Sequence, residues 1–221
     1  MSIDVKICGI KTLGALETVI GAGASHFGMV FFPPSPRHIR PNKAKTLSKA
    51  ARGRIKSVAL VVDASDAQIE AILAAADPDL IQLHGVETPE RAAAIRALAG
   101  RPVIKAISVA AEGDADRADA YRGSADIILF DAKPPRNSRV PGGNGLAFDW
   151  RLLTSVRSKL PFVLSGGLTP ENVAEAIALT GPAMVDVSSG VETAPGVKDA
   201  ALIRQFVRVA RASALEEVAH G

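Results

Sequence analysis

The chain contains one cysteine, Cys8, which ends a short apolar run near the N-terminus and could serve as a general base. A lone cysteine is more often an inert core residue. Cys8, however, shares strand parity with Lys6, whose ammonium group could favour a thiolate. Gly9 follows directly and allows the backbone to come close to a ligand. We therefore predict a reactive thiol at the end of a strand.

A second candidate is Asp131, which follows the apolar run 127–130 and could act as a general acid or simply cap a turn. The segment after it, from Lys133 to Phe148, is rich in proline and glycine. Loops of this length in compact domains usually serve as lids or binding loops. The segment is therefore expected to border a functional site.

Gln82 and His84 also share one strand face, at the end of the run Leu80–Leu83. In a barrel of parallel strands, polar side chains that point inward near the strand ends build the active site. A histidine after an apolar run is, on its own, more often a structural hydrogen-bond donor than a catalyst.

Two glycine-rich turns follow the last two apolar runs: Ser165-Gly166-Gly167-Leu168 and Ser188-Ser189-Gly190-Val191. Glycines allow backbone N–H groups to converge on an anion, and a helix N-terminus favours negative charge. Barrel enzymes often hold a phosphate group with the loops after strands 7 and 8. The pair of turns predicts a phosphorylated substrate.

The elements that must position these residues alternate between strands and helices, which implies parallel strands joined by crossover helices. Eight strands favour a closed α/β barrel, the (β/α)8 TIM barrel, as one domain over residues 1–221. No G-x-G-x-x-G follows the first strand, which weakens an open nucleotide-binding sheet. Strands are predicted at Ile3–Cys8, Phe27–Phe32, Ile55–Val62, Leu80–Leu83, Val103–Val109, Asp126–Phe130, Pro161–Leu164 and Met184–Val187, and helices at Asp66–Ala76, Pro89–Leu98, Pro170–Leu179 and Asp199–Ala212. Thr88 and Thr169 are expected to cap helices that start at the prolines following them.

Composition limits the possible partners. The 26 basic and 23 acidic side chains give a net charge of +3 and are scattered along the chain, without the basic stripe of a nucleic-acid-binding protein. A small anionic substrate suits this charge. One cysteine cannot form an internal disulfide, and strand-like sequence from Ile3 leaves no room for a signal peptide. We expect a cytoplasmic protein without a membrane partner.

Several blocks of the chain, in order, resemble the phosphoribosylanthranilate isomerase family of tryptophan biosynthesis. The resemblance covers residues from about 4 to 199, and its first and last blocks are the most specific. The blocks are Lys6-Ile7-Cys8-Gly9-Ile10, Phe32-Pro33-Pro34-Ser35-Pro36-Arg37-His38-Ile39, Gln82-Leu83-His84-Gly85, Gly142-Gly143-Asn144-Gly145 with Phe148-Asp149-Trp150, Leu164-Ser165-Gly166-Gly167-Leu168 and Val185-Asp186-Val187-Ser188-Ser189-Gly190-Val191-Glu192.

This resemblance implies an Amadori rearrangement of N-(5′-phosphoribosyl)anthranilate to 1-(2-carboxyphenylamino)-1-deoxyribulose 5-phosphate, without a cofactor or metal. Matched residue by residue, it implies Cys8 as general base and Asp131 as general acid, with Arg37 on the anthranilate carboxylate. Other substrate contacts are implied or expected at Lys6, Gln82, His84, Gly166, Gly167, Asp186, Ser188, Ser189 and Gly190. Such an enzyme would be a monomer or a homodimer.

Two other functions compete with this interpretation. The isomerase of histidine biosynthesis performs the same rearrangement, but it typically uses two aspartates and shows half-barrel repetition, whereas this chain offers Cys8 and no convincing internal repeat. A barrel that has lost catalysis and serves as a binding subunit would not need Cys8, Asp131, Arg37 and both glycine-rich turns together. A turnover assay separates these alternatives.

The proposed chemistry requires an ionised Cys8 thiol and a protonated Asp131 carboxyl group at the same time. At pH 7 an ordinary thiol is about 3% ionised and an ordinary aspartic acid is about 0.1% protonated, so both states coincide in about 10⁻⁵ of molecules. We expect Lys6 to lower the pKa of the Cys8 thiol and burial to raise that of the Asp131 carboxyl.

Overall fold

The computed structural model of the chain describes residues 3–134, 138, 140–143, 145, 147–153 and 161–219, with side chains up to residue 213. Its centre is a closed barrel of eight parallel strands in the order of the chain. The strands are β1 (Asp4–Cys8), β2 (His26–Val30), β3 (Lys56–Val61), β4 (Leu80–Leu83), β5 (Val103–Val109), β6 (Ile127–Ala132), β7 (Phe162–Leu164) and β8 (Met184–Val187). The predicted (β/α)8 fold is confirmed.

Helices cover the outside of the barrel. They are α1 (Leu13–Ala22), α2 (Pro41–Ala51), α3 (Asp66–Ala76), α4 (Pro89–Ala99), α5 (Val173–Thr180) and α6 (Ala200–Ala219). Short 3₁₀ helices follow β5 at Asp114–Tyr121, β6 at Trp150–Leu153 and β8 at Ser189–Val191. A hairpin of β9 (Glu192–Ala194) and β10 (Val197–Lys198) lies between β8 and α6. Among the described residues, no helix is both long and apolar enough to cross a membrane.

Local sequence explains where two of the helices begin. Ser65 and Gln68 form a reciprocal capping box at the start of α3. Thr88 accepts a hydrogen bond from the Arg91 amide and precedes a proline at the first position of α4, as predicted.

The predicted start of α5 at Pro170 is wrong, because the helix begins at Val173. The Asn172 side chain bonds the amide of Thr169 and the carbonyl of Gly167 instead. These bonds hold residues 169–172 in a turn that fixes the preceding glycine-rich loop. The sequence from Pro170 to Asn172 therefore belongs to this turn, and the helix begins after it.

Strand parity separates two kinds of core, as expected from a barrel covered by helices. Outward side chains such as Val5 and Ile7 of β1 are fully buried in the large core that also includes helix residues such as Leu16 and Phe206. Inward side chains pack with each other inside the barrel; they are Val58, Leu80, Ile104, Leu129, Val163 and Met184. The inward positions nearer the strand ends are those that build the site.

Candidate active site

A cavity opens at the carboxyl ends of the barrel strands and has a volume of about 760 Å³, including the space open to solvent. Nine of the twelve candidate site residues line the cavity: Cys8, Arg37, His84, Asp131, Gly166, Gly167, Asp186, Ser188 and Ser189. The described part of the loop after Asp131 also lines it, at residues 140–143 and 145, while residues 135–137, 139, 144 and 146 lie outside the described residues.

The other three candidates, Lys6, Gln82 and Gly190, do not line the cavity, and their contact with substrate stays a prediction. Lys6 and Gln82 are fully buried, and each is bonded to a cavity residue, namely Asp186 and His84. At Gly190 an added Cβ would collide with the Leu168 carbonyl oxygen. Gly190 is therefore needed for the two glycine-rich loops to pack together.

The Cys8 thiol lies inside the end of the barrel, among Val30 and Leu60. Cys8 is paired in register with Gly28 of β2, where an added Cβ would lie 2.9 Å from Sγ. A glycine at this point of β2 leaves the space that the thiol occupies. The predicted inward direction of Cys8 is confirmed, and the thiol is buried.

Burial raises the pKa of the Cys8 thiol, and the positive charges of Lys6 and Lys198 do not outweigh it. The Asp186 carboxylate adds to the increase. Lys6 donates to Asp186 at 2.9 Å. The Asp186 carboxylate therefore offsets much of the stabilisation that the Lys6 charge would give to a thiolate at Cys8. The expectation of a thiol pKa below the ordinary value is therefore wrong for the ligand-free protein, because desolvation and a neighbouring anion dominate.

Asp131 ends β6 with its side chain 8% exposed. Its Oδ1 accepts the Ala132 N–H at 2.8 Å, and its Oδ2 lies 3.1 Å from Nε2 of His84. Nδ1 of His84 lies 3.0 Å from the Gln82 carboxamide. The structure thus brings together three predicted site residues into one hydrogen-bonded chain, from the barrel interior to the cavity.

The glycine-rich turns take the conformations that only glycine adopts without strain. Gly166 and Gly167 have φ values of 83° and 65°. At Gly166 an added Cβ would also lie 2.5 Å from the Ala132 amide nitrogen, so the turn is packed directly against the end of β6. Ser189 faces the cavity, whereas Ser188 donates to the Cys8 carbonyl oxygen at 3.2 Å and joins β8 to β1.

Arg37 is held by an acidic residue that the sequence analysis did not single out. Nε and Nη2 of Arg37 donate to the two Glu192 oxygens at 2.9 and 2.7 Å, and Nη2 also donates to the Gly143 carbonyl at 3.2 Å. Lys198 donates to Glu192 at 2.7 Å and to the Ser188 carbonyl at 2.8 Å. All three charged side chains are at most 7% exposed.

Arg37, Glu192 and Lys198 form one buried cluster, in which the two cations share the Glu192 carboxylate. Burial alone would raise the pKa of Glu192, but hydrogen bonds and charge from Arg37 and Lys198 leave it lowered. Nε and Nη2 of Arg37 are therefore occupied, and no hydrogen bond of Nη1 is found among the residues that the structure describes. Glu192 lies in one of the motif blocks of the sequence. Its contact with Arg37 joins residues 155 positions apart, so the neighbouring sequence does not predict it.

A second buried ion pair supports the loop that follows β4. Lys105 donates to Glu87 at 2.7 Å and to the Gly85 carbonyl at 2.8 Å. Glu87 in turn accepts the amides of Gly85 and Asp63. The pair fixes the backbone next to His84. No group of three or more His, Cys, Asp or Glu residues suited to a metal occurs within the described ranges.

Comparisons with known proteins give one consistent family. The family model described as N-(5'phosphoribosyl)anthranilate (PRA) isomerase matches residues 5–209. The chain is 50% identical over 213 residues to the N-(5'-phosphoribosyl)anthranilate isomerase of Mesorhizobium japonicum, covering 96% of this chain and 97% of that relative.

Solved structures agree with the sequence comparison. The phosphoribosyl anthranilate isomerase of Thermotoga maritima is similar with a TM-score of 0.85 and 39% identity, over 95% of this chain and 99% of that one. Another phosphoribosyl anthranilate isomerase structure, with a TM-score of 0.83 and 36% identity over the same shares of the two chains, contains reduced 1-(o-carboxyphenylamino)-1-deoxyribulose 5-phosphate.

The role of Glu192 as the anion shared by Arg37 and Lys198 can be tested by measuring the stability of a variant. Glu192→Gln should lower the free energy of unfolding by about 3–5 kcal/mol, because it leaves two buried cations without their partner. Urea unfolding at neutral pH measures this. The difference from the wild type should shrink as the pH falls below the ordinary range of glutamate, since the lowered pKa of Glu192 stabilises only the ionised form.

A matched control for this experiment is Glu17→Gln, which breaks the ion pair with Arg54 at the surface. Exposed pairs contribute little to stability, so the midpoint of unfolding should barely move. Equal effects of the two substitutions would contradict a special role for the buried cluster.

The thiol environment gives a second prediction. Ultraviolet titration near 240 nm should show Cys8 ionising above the ordinary cysteine pKa of about 8.5. Lys6→Met should raise the value further and Asp186→Asn should lower it, because the two side chains act on the thiolate with opposite charge. The exposed Lys56, at the other end of the barrel, provides the control Lys56→Met. A thiol pKa that does not respond to either site variant would contradict this account of its surroundings.

Proposed function

Because the chain belongs to the N-(5′-phosphoribosyl)anthranilate isomerase family of tryptophan biosynthesis, we propose that it rearranges this substrate with Cys8 as general base and Asp131 as general acid. The observation that carries the proposal is that the thiol and the carboxyl group line one cavity together with the glycine-rich turns. A thiol and a carboxyl group that line the same ligand site can supply the two proton transfers that an aldose–ketose rearrangement needs.

In the first step, the Asp131 carboxyl group gives its proton to the furanose ring oxygen, and the bond between this oxygen and C1′ breaks. The anilino nitrogen lone pair forms the double bond to C1′, which gives a Schiff base. In the second step, the Cys8 thiolate takes the C2′ proton, and the electron pair neutralises the iminium nitrogen. The resulting enol then tautomerises to the ketone.

The substrate would lie across the cavity with its two anionic ends apart. Gly166, Gly167 and Ser189 border the part suited to the phosphate group, where backbone N–H groups of tight turns can point at an anion. Arg37 borders the other part and would meet the anthranilate carboxylate through Nη1, while Glu192 holds the rest of the guanidinium group. Glu192 would thereby orient Arg37 without touching the substrate.

The raised pKa of the thiol shapes the expected pH dependence. When the base has a higher pKa than the acid, the form with thiolate and protonated carboxyl is a minority at every pH, and its fraction is constant between the two pKa values. The alkaline decline of kcat/KM should then follow ionisation of the Cys8 thiol, which burial places above its ordinary range.

Turnover tests the proposal most simply. Purified protein should consume N-(5′-phosphoribosyl)anthranilate, followed by its fluorescence, and Cys8→Ser should lower kcat by at least about 100-fold with a modest change in KM. Asp131→Asn should lower kcat on a similar scale. A serine variant that keeps more than half of the activity would reduce Cys8 to a core residue, and an inactive wild type would favour a binding subunit.

Arg37→Ala should act mainly on KM, because it removes a charge-assisted contact that exists before and during the reaction. The exposed Arg40 in the same segment gives the control Arg40→Ala, which should leave KM unchanged. Steady-state kinetics measure both. A loss confined to kcat would contradict the contact with the carboxylate.

Inorganic phosphate should compete with substrate if the glycine-rich turns bind the phosphate group as proposed, since the positive φ values of Gly166 and Gly167 are built into the fold. Inhibition should raise the apparent KM and leave kcat unchanged. Noncompetitive inhibition, or none at high phosphate concentration, would count against a preformed site at these turns.

A further inference from the structure

We propose that His84 and Asp131 hold one exchangeable proton between them, and that the Gln82 carboxamide controls this proton by turning either of its ends toward His84. The proposal rests on the proposed role of Asp131 as general acid and deepens it. It gives Asp131 a source of the proton that the first reaction step needs. In this scheme His84 and Gln82 are positioning residues that act through Asp131.

The three side chains form a continuous chain of hydrogen bonds. Gln82 Nε2 lies 3.0 Å from His84 Nδ1, and His84 Nε2 lies 3.1 Å from Asp131 Oδ2. Gln82 is fully buried, and the side chains of His84 and Asp131 are 9% and 8% exposed. The second carboxylate oxygen of Asp131 is held by the Ala132 amide, so Oδ2 is oriented toward His84.

The contact between Gln82 and His84 determines which nitrogen of the ring carries a proton. When Gln82 Nε2 donates to Nδ1, Nδ1 has no proton, so the ring proton is on Nε2 and is donated to an ionised Asp131. This arrangement holds one proton fewer than the acid needs. It corresponds to the state of the site after Asp131 has given its proton away.

Rotation of the Gln82 carboxamide by half a turn gives the complementary arrangement. Oε1 then accepts a proton from Nδ1, and His84 Nε2 either accepts the proton of a neutral Asp131 or carries a second proton beside an ionised one. These two forms contain the same number of protons and differ only in whether one proton lies on His84 or on Asp131. They hold one proton more than the first arrangement, and this proton can be given to the furanose oxygen.

The buried environment of Gln82 leaves both orientations open. Its Oε1 has no hydrogen-bond partner among the residues that the structure describes. Buried amide groups usually have partners at both ends, and these fix their orientation. Within the described part of the chain, the only bond of the Gln82 carboxamide is the one to His84, so exchanging its two ends breaks no bond to these residues at the other end.

The coupled pair gives Asp131 a nearby proton donor. His84 can hold a proton at each ring nitrogen and pass the one at Nε2 to Asp131 Oδ2, 3.1 Å away. The protonated carboxyl group is therefore re-formed from a donor that already contacts it. After transfer to the ring oxygen, with cleavage of the C1′–O bond, the pair regains a proton from solvent.

Other ionisable groups around the pair are present in both orientations. Behind Gly85 they are Lys105, Glu87 and Asp63, whose hydrogen bonds support the loop after β4. On the cavity side they are Cys8, Arg37, Lys133 and Asp186. Substitutions at Gln82 keep these groups in place, so they change the proton affinity of the pair while the surrounding charges stay the same.

Nitrogen-15 magnetic resonance of protein labelled at histidine tests the proposal without catalysis. The chain has four histidines, and His84→Asn assigns the signals of His84. In the wild type, the Nδ1 signal of His84 should change from that of an unprotonated to that of a protonated nitrogen as the pH is lowered. In Gln82→Leu, which offers no acceptor, the midpoint should fall by about one pH unit, a tenfold loss of proton affinity. In Gln82→Glu, whose carboxylate is a permanent acceptor, the midpoint should rise.

Kinetics provide the second measurement. In Gln82→Leu, kcat/KM should be close to the wild-type value at acidic pH, where the pair is loaded in both proteins, and about tenfold lower above the wild-type midpoint. Gln82→Glu should move the same break to higher pH. A purely structural role would lower kcat/KM at every pH and leave the break where it is.

The possible outcomes separate this proposal from the general function. Unchanged Nδ1 midpoints in both Gln82 variants, or an Nδ1 that stays unprotonated throughout, would overturn the relay even if Asp131→Asn is inactive. An active Asp131→Asn would overturn the role of Asp131 as acid, whatever His84 does. If Gln82→Leu does not fold, Gln82→Glu and Gln82→Met carry the test.

Discussion

The structure of the site depends on charges that are buried only in the presence of a partner. Removing a single charge from water costs several kcal/mol, and a well-placed opposite charge with further hydrogen bonds offsets this cost. Lys6 with Asp186, Lys105 with Glu87, and Arg37 and Lys198 with Glu192 all satisfy this condition at the carboxyl ends of the strands. Charged side chains can therefore be buried around the cavity without an unpaired charge at any of these positions.

The same pairs fix the positions of the reacting groups. Lys6 and Asp186 are register partners on β1 and β8, so their ion pair joins the first strand to the last directly below Cys8. Glu192 and Lys198 lie on the hairpin after β8 and connect Arg37 to the loop of Ser188. The position of Arg37 is consequently tied to the loops that border the proposed phosphate site.

Much of this arrangement could be predicted from local patterns. Eight apolar runs separated by helical segments predicted the barrel, and strand parity predicted that Cys8 faces inward. The glycine-rich turn after β7 was also recognisable, because positive φ values at Gly166 and Gly167 follow from residue type. In each of these cases, the information lies within a few neighbouring residues.

Other features depend on distant contacts and could not be predicted in this way. Glu192 is 155 residues from Arg37, and nothing in its immediate sequence indicates that it occupies the guanidinium group. The direction of the Cys8 pKa shift depends on the balance between desolvation and the charges of Lys6 and Asp186, and only the folded structure sets that balance. The start of α5 was misplaced because Asn172 uses its side chain to hold the preceding loop.

The assignment of Cys8 and Asp131 to separate proton transfers is tested most directly by an isotope effect with substrate that carries deuterium at C2′. If Asp131 opens the ring and Cys8 then removes the C2′ hydrogen, Asp131→Asn makes ring opening limiting and should suppress the isotope effect on kcat/KM. Cys8→Ser makes hydrogen removal limiting and should enlarge it. Equal isotope effects in the two variants would contradict the division of roles on which this account of the enzyme depends.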